Sequence, residues 1–100
     1  MIRHVVMWKL KENAEGKTKE ENLAIIRDSL LALPAKIAQI RRMEVGFDLS
    51  NTDVSMDLLL LSEFDTKEDL QTYAVHPEHV KVGAYVKKVV ETRVVLDCEI

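Results

Sequence analysis

The residues with chemistry to offer crowd into one short stretch, YAVHPEHVKV at 73–82, where a tyrosine and two histidines surround a proline. The chain has only three histidines, and the third, His4, lies near its beginning. Histidine titrates near neutrality, so a neutral imidazole in a pocket can act as a general base. A phenol or second imidazole beside it can fix its tautomer or donate to a developing oxyanion. Such a set suits removal of a proton beside a carbonyl. It calls for no cofactor, and the three glycines are scattered rather than gathered into a phosphate-cradling loop. His76 and His79 do have the H-x-x-H spacing of a metal pair. No cysteine or obvious third ligand accompanies them on that helix, so no metal is expected.

Whether these groups meet depends on the elements that carry them. IRHVVMWKL is β-branched and aromatic, with Ile2, His4, Val6, Trp8 and Leu10 on one face and Arg3, Val5, Met7 and Lys9 on the other. After the polar stretch KENAEGKTKEEN, the residues Leu23, Ile26, Leu30 and Leu33 follow an amphipathic helical stripe. Pro34 is expected to end that helix. A second strand, IRRMEVGFD, puts Met43, Val45 and Phe47 on one face, and LSNTD supplies a turn. The third strand, SMDLLLLSEF, is apolar on both faces, so both should be covered. The next helix starts with Asp65 and Glu68 at capping-box spacing, or with Thr66 and Asp69. His76-Pro77 breaks it and opens another with proline at the favoured first position, where the His76 ring nitrogen can cap. ETRVVLDCEI alternates Thr92, Val94, Leu96 and Cys98 against Arg93, Val95 and Asp97 as the last strand.

The order βαββαβ fits a ferredoxin-like α+β sandwich, a four-stranded antiparallel sheet with helices on one face. The other face is expected to carry Val5, Met7, Met43, Val45, Phe47, Leu59, Leu61 and Val95. An apolar sheet that large implies a homodimer packed sheet to sheet. On the helix side, His79 shares a stripe with Val82, Val86 and Val89, while Tyr73 faces inward with Leu70 and Ala74. His4 lies on the helix-facing side of its strand. His4, Tyr73 and His79 should therefore point into one layer. The plain alternative is that each is a core residue with a satisfied hydrogen bond, and His76 is a structural residue at the break.

Composition narrows the classes. One hundred residues make one domain, and 47% hydrophobic with 31% charged residues supply a core and a solvated surface. The net charge of −3 and the scattered basic residues argue against a nucleic acid or an acidic membrane as partner. Cys98, the lone cysteine, can form no internal disulfide and reads as a buried thiol. MIRHVVMWKL is too charged and too short for a signal peptide or a membrane span. A soluble cytoplasmic protein is expected.

The opening IRHVVMWKLKE, the split second helix and YAVHPEHVKV before the final strand together resemble the stress-responsive A/B barrel (Dabb) family, over essentially the whole of residues 1–100. The resemblance implies a ferredoxin-like monomer paired into a homodimeric α/β barrel. One plant member is a polyketide cyclase that closes a ring by intramolecular aldol condensation, in a pocket between helices and sheet. Its working histidine matches His79, its tyrosine six residues earlier matches Tyr73, and its strand histidine matches His4. These three are the catalytic residues the resemblance implies, acting on a small hydrophobic ligand. Two other functions fit the same fold: a non-enzymatic stress-related structural protein, and a cofactor-independent monooxygenase-like enzyme. Some plant relatives also bind a divalent cation through backbone carbonyls after the first helix, near Leu33 here, which would leave no trace in side chains.

Overall fold

The computed structural model describes residues 1–100. β1 (Ile2–Leu10) is followed by a small hairpin of β2 (Asn13–Ala14) and β3 (Lys17–Thr18), then by α1 (Lys19–Leu31). A 3-10 turn (Leu33–Ala35) leads to β4 (Arg42–Phe47) and β5 (Leu58–Phe64). The chain closes with α2 (Lys67–Val75), α3 (Pro77–Val89) and β6 (Val90–Glu99). The main sheet has the order β4-β5-β1-β6 and is antiparallel throughout. The expected ferredoxin-like sandwich is the fold, with a hairpin added inside the polar stretch before α1.

β1 is a central strand, and its alternation sorts the molecule into two sides. Ile2, Val6, Trp8 and Leu10 are buried under the helices with Leu58, Leu60 and Phe64 from β5, and Ile26, Leu30, Leu33 and Ile37 close this core from above. Directly opposed residues of an antiparallel ladder project to the same face. Met43 pairs with Ser62, Val45 with Leu60 and Phe47 with Leu58, so these three lie on the helix side. Val95 joins them there through its pairing with Val6. Four of the eight residues expected on the open face are thus on the opposite one. Alternation groups residues into a face but does not say which face is in, and β4 is apolar on the side that borders the core. The open face instead carries Val5, Met7, Leu59 and Leu61, joined by Val94 and Leu96. A charged row bounds it, in which Arg3 donates to Glu63 from Nε at 3.0 Å and from a terminal nitrogen at 2.6 Å.

The helix ends follow local chemistry. Thr18 caps α1 in a reciprocal box: Glu21 N–H donates to its hydroxyl at 3.2 Å, and its own N–H donates to the Glu21 carboxylate at 2.9 Å. α1 stops at Leu31, short of Pro34, which sits instead in the 3-10 turn where its fixed φ is acceptable. Of the two capping pairs open to α2, the structure uses Thr66, whose hydroxyl accepts from Asp69 N–H at 3.1 Å. The β2–β3 turn holds Glu15 and Gly16 at φ 54° and 73°, the left-handed conformation a two-residue hairpin needs.

One acidic side chain ties the end of β1 to its surroundings. The register with β6 slips between Lys9 and Leu10, and Leu10 N–H turns to the Asp57 carboxylate at 2.7 Å. Lys19 approaches the same carboxylate at 3.3 Å. Burial works against the Lys19 charge, but hydrogen bonds and attraction from Glu12 and Asp57 outweigh it and raise its pKa. Asp57→Ala should leave the Leu10 N–H without an acceptor and cost about 2 kcal/mol, with Asp57→Asn costing less, in urea denaturation. A loss under half that in Asp57→Ala would show the contact to be dispensable.

Candidate active site

A cavity of about 570 Å³ opens between the sheet and the α2–α3 pair, and apolar residues form most of its wall. His4, Tyr73 and His79 all line it. The Tyr73 ring lies 4.3 Å from His79 and 6.1 Å from His4, centroid to centroid, and packs on Phe64 at 5.0 Å. The three residues expected to converge do so. Each arrives by its element's period: His4 by the alternation of β1, Tyr73 as the fully buried side chain of α2, and His79 from the first turn of α3.

The break between α2 and α3 sets the state of His79. In an unbroken helix the Ala74 carbonyl would accept the N–H of Glu78, four residues on. Here Glu78 N–H donates to His76 Nδ1 at 3.1 Å, so His76 is the expected cap of α3. The Ala74 carbonyl is then free to accept from His79 Nδ1 at 2.9 Å. A carbonyl only accepts, so Nδ1 carries the proton and Nε2 keeps its lone pair. Burial pushes the His79 pKa below the ordinary 6.5; the Ala74 contact opposes this, and the charges of His4, Arg93 and His76 add to it. His79 is a neutral imidazole at pH 7 with its Nε2 available. His76 itself does not line the cavity.

Alternation and helical spacing missed Asp97 and the unpaired state of two donors. Asp97 lies across the β1–β6 ladder from His4 and accepts from its Nδ1, which fixes the His4 ring. Its signal was cross-strand pairing, which cannot be read before the register is known. Trp8 Nε1 and the Tyr73 hydroxyl are buried at the cavity with no hydrogen-bond partner in the protein. Buried polar groups are nearly always paired; these two donors lack a partner, have no accessible surface of their own, and would meet an acceptor in the cavity only after a small side-chain shift. Burial also raises the Tyr73 pKa far above that of an ordinary phenol, keeping its proton in place for donation. Met7 faces the open side of the sheet, opposite Leu59, as the alternation of β1 predicts.

No three His, Cys, Asp or Glu side chains gather as metal ligands would. The Leu33 carbonyl accepts from the N–H groups of Lys36 and Ile37, both at 2.9 Å. No helix is long and apolar enough to cross a membrane.

An antiparallel β4-β5-β1-β6 sheet with helices on one face and a histidine-lined cavity beneath them defines a ferredoxin-like protein. The chain belongs to the stress-responsive A/B barrel domain family, whose model matches residues 2–100. It is similar to an uncharacterised protein of Streptomyces coelicolor, 29% identical over 99 residues that make up 99% of each chain. Among solved structures it resembles a dimeric ferredoxin-like protein of unknown function from Bacteroides fragilis. The two are 36% identical with a TM-score of 0.81, covering 99% of this chain and 95% of that one. A hydroxynitrile lyase from Passiflora edulis shares the fold at 16% identity, with a TM-score of 0.80 over 97% of this chain and 90% of the other.

The state of His79 is measurable. Its folded pKa lies below the unfolded 6.5, so its contribution to stability is fully present above that value and fades as pH falls through the folded pKa. NMR titration of the ring should place its midpoint below those of ordinary exposed histidines, with the Nδ1–H tautomer dominant at pH 7. A midpoint at or above 6.5 would contradict the half-buried, neutral assignment.

Proposed function

We propose that this protein is a homodimer whose subunits each bind a small hydrophobic carbonyl compound and move a proton on it by acid–base catalysis. His79 is the base. Its Nε2 takes the proton from the carbon beside the carbonyl, and the Tyr73 hydroxyl donates to the oxygen as it becomes an enolate. His4, held by Asp97, fixes the wall of the cavity beside Tyr73. The resulting carbanion can attack a second carbonyl of the same molecule, which is the aldol ring closure of the polyketide-cyclase type. The Passiflora enzyme that shares the fold is a hydroxynitrile lyase by its name. The observation that carries the reading is the His79 ring itself: its Nδ1–H is committed to Ala74 while the Tyr73 hydroxyl beside it has no partner. A core histidine paired for stability alone leaves that hydroxyl unexplained. In this reading the protein works in the reducing cytoplasm, where Cys98 stays a thiol, and its link to stress is through the family.

The activity can be tested without the natural substrate. Nonane-2,4-dione in D₂O should exchange its central protons faster with the protein present. His79→Ala should lower the protein-dependent rate by about 100-fold, and the wild-type rate should fall on the acid side only below the ordinary histidine range. Tyr73→Phe should also slow exchange, yet raise stability by about 1 kcal/mol, because it removes a buried donor that has no partner. Equal exchange in wild type and His79→Ala would overturn the catalytic reading and leave a structural protein.

The dimer is supported by the apolar open face and by the dimeric relative from Bacteroides fragilis. Leu59 lies at the middle of that face, paired with Met7. Leu59→Glu should abolish dimerisation in analytical ultracentrifugation, because an unpaired carboxylate cannot be buried between apolar sheets. Val45→Glu would instead strike the core margin on the helix side. A wild-type chain that sediments as a stable monomer at micromolar concentration would remove the dimer from this reading.

A further inference from the structure

In the middle of α3, on the cavity wall, stands a glycine, Gly83. Proline apart, glycine is the residue that costs a helix interior most, because its backbone has the most freedom to lose. The two usual requirements for a helical glycine are missing here. Its φ is not in the left-handed region, so the backbone bars no other residue. A Cβ built on it meets nothing within 4 Å, so no neighbouring element comes close enough to need the room. Packing would accept alanine, and helix propensity favours it. What the missing side chain leaves empty is the cavity. Gly83 also follows His79 by four residues, so the two share one face of α3, one turn apart. Cα–Cβ bonds in a helix tilt toward its N-terminus, and a side chain covers the turn before its own. Any side chain at 83 would reach back over the turn that carries His79.

We infer that Gly83 is the size-selecting residue of the site: an unbranched alkyl arm of the ligand lies across the bare backbone of α3 at Gly83 while the carbonyl end reaches His79. The assignment rests on the cavity being a ligand site, as proposed above, and adds the shape of the molecule that enters it. On the same wall Val86 is buried and Val80 and Ala84 are exposed, with Gly83 half-buried among them. Gly83 thus lies at the rim, where the cavity passes from solvent toward the imidazole. The side chains beside it offer hydrocarbon contact and no hydrogen bonds, so the part of the ligand that crosses here is apolar. Its lack of branching follows from the same place, since a branch would need the width that only one missing side chain supplies. Each methylene taken out of water multiplies affinity by about fourfold. Gly83→Leu would put side-chain carbons where roughly two of those methylenes lie, a loss of about tenfold or more.

Nonan-2-one and butan-2-one share a methyl ketone and differ only in the length of the arm, and isothermal titration reads their binding without turnover. At pH 7 the wild-type protein should bind nonan-2-one at least tenfold more tightly than butan-2-one. Gly83→Ala should weaken nonan-2-one about threefold and Gly83→Leu about tenfold or more, so that its advantage over butan-2-one shrinks with the size of the added side chain. Gly83→Ala should at the same time raise the thermal midpoint by about 4 °C, since alanine favours the helix. Firmer folding with poorer binding of the longer ketone is a pair of changes that a damaged structure does not give. Unchanged nonan-2-one affinity in both variants, or an equal loss for the two ketones, would overturn the role of Gly83 and leave the cavity a ligand site. The expected binding pattern without any exchange of nonane-2,4-dione would overturn the catalytic reading alone. Failure of the wild-type protein to bind either ketone would overturn both.

Discussion

The position of β1 between β5 and β6 is the constraint from which the site follows. A strand paired on both edges cannot slip by one residue without turning its whole buried set outward. With Ile2, Val6, Trp8 and Leu10 committed to the core, His4 has no choice of side. The same ladders then place Ser62 and Asp97 on either flank of His4 and Arg93 beside Trp8. The floor of the cavity is thus fixed by the pairing that builds the sheet. Its polar groups need no separate device to orient them.

The roof is made differently. α2 and α3 are amphipathic pieces that meet at an interruption, and the interruption redirects one N–H and frees one carbonyl. Pro77 cannot donate, and the His76 ring takes the Glu78 N–H. The Ala74 carbonyl then holds His79 in a single tautomer. A residue that reads as punctuation has a consequence one turn away. Sheet and helices contribute in complementary ways: a register sets the floor, and a break in periodicity sets the roof.

Much of this was legible in the sequence, for specific reasons. The alternation of IRHVVMWKL put His4 with the buried residues, and the stripe His79, Val82, Val86, Val89 put the second histidine on the inner face of α3; both hold. The fold order was legible because helix and strand periods differ sharply in this chain. The side taken by Met43, Val45 and Phe47 was not, since β4 shows which residues share a face and nothing about where the helices lie. Asp97 was invisible for a related reason: it is an exposed-looking carboxylate on an edge strand until the ladder sets it opposite His4. The Ala74 carbonyl leaves no mark at all, being backbone. Unpaired donors such as Trp8 Nε1 can be recognised only after every neighbour has been placed.

The division of the second helix has a further consequence for motion. α2 has nine residues, fewer than an isolated helix needs to persist, and Tyr73 is its one fully buried side chain. It is therefore held to the domain chiefly by Tyr73, with Leu70 packed at the margin of the core, whereas β1 is laced into the sheet along both edges. The free energy of local opening is correspondingly low for α2 and close to global unfolding for β1. Tyr73 and Ala74 belong both to α2 and to the cavity wall, so a fluctuation that detaches the helix also uncovers the interior. Amide exchange graded from fast in α2 to slow in β1 is the signature of such a door.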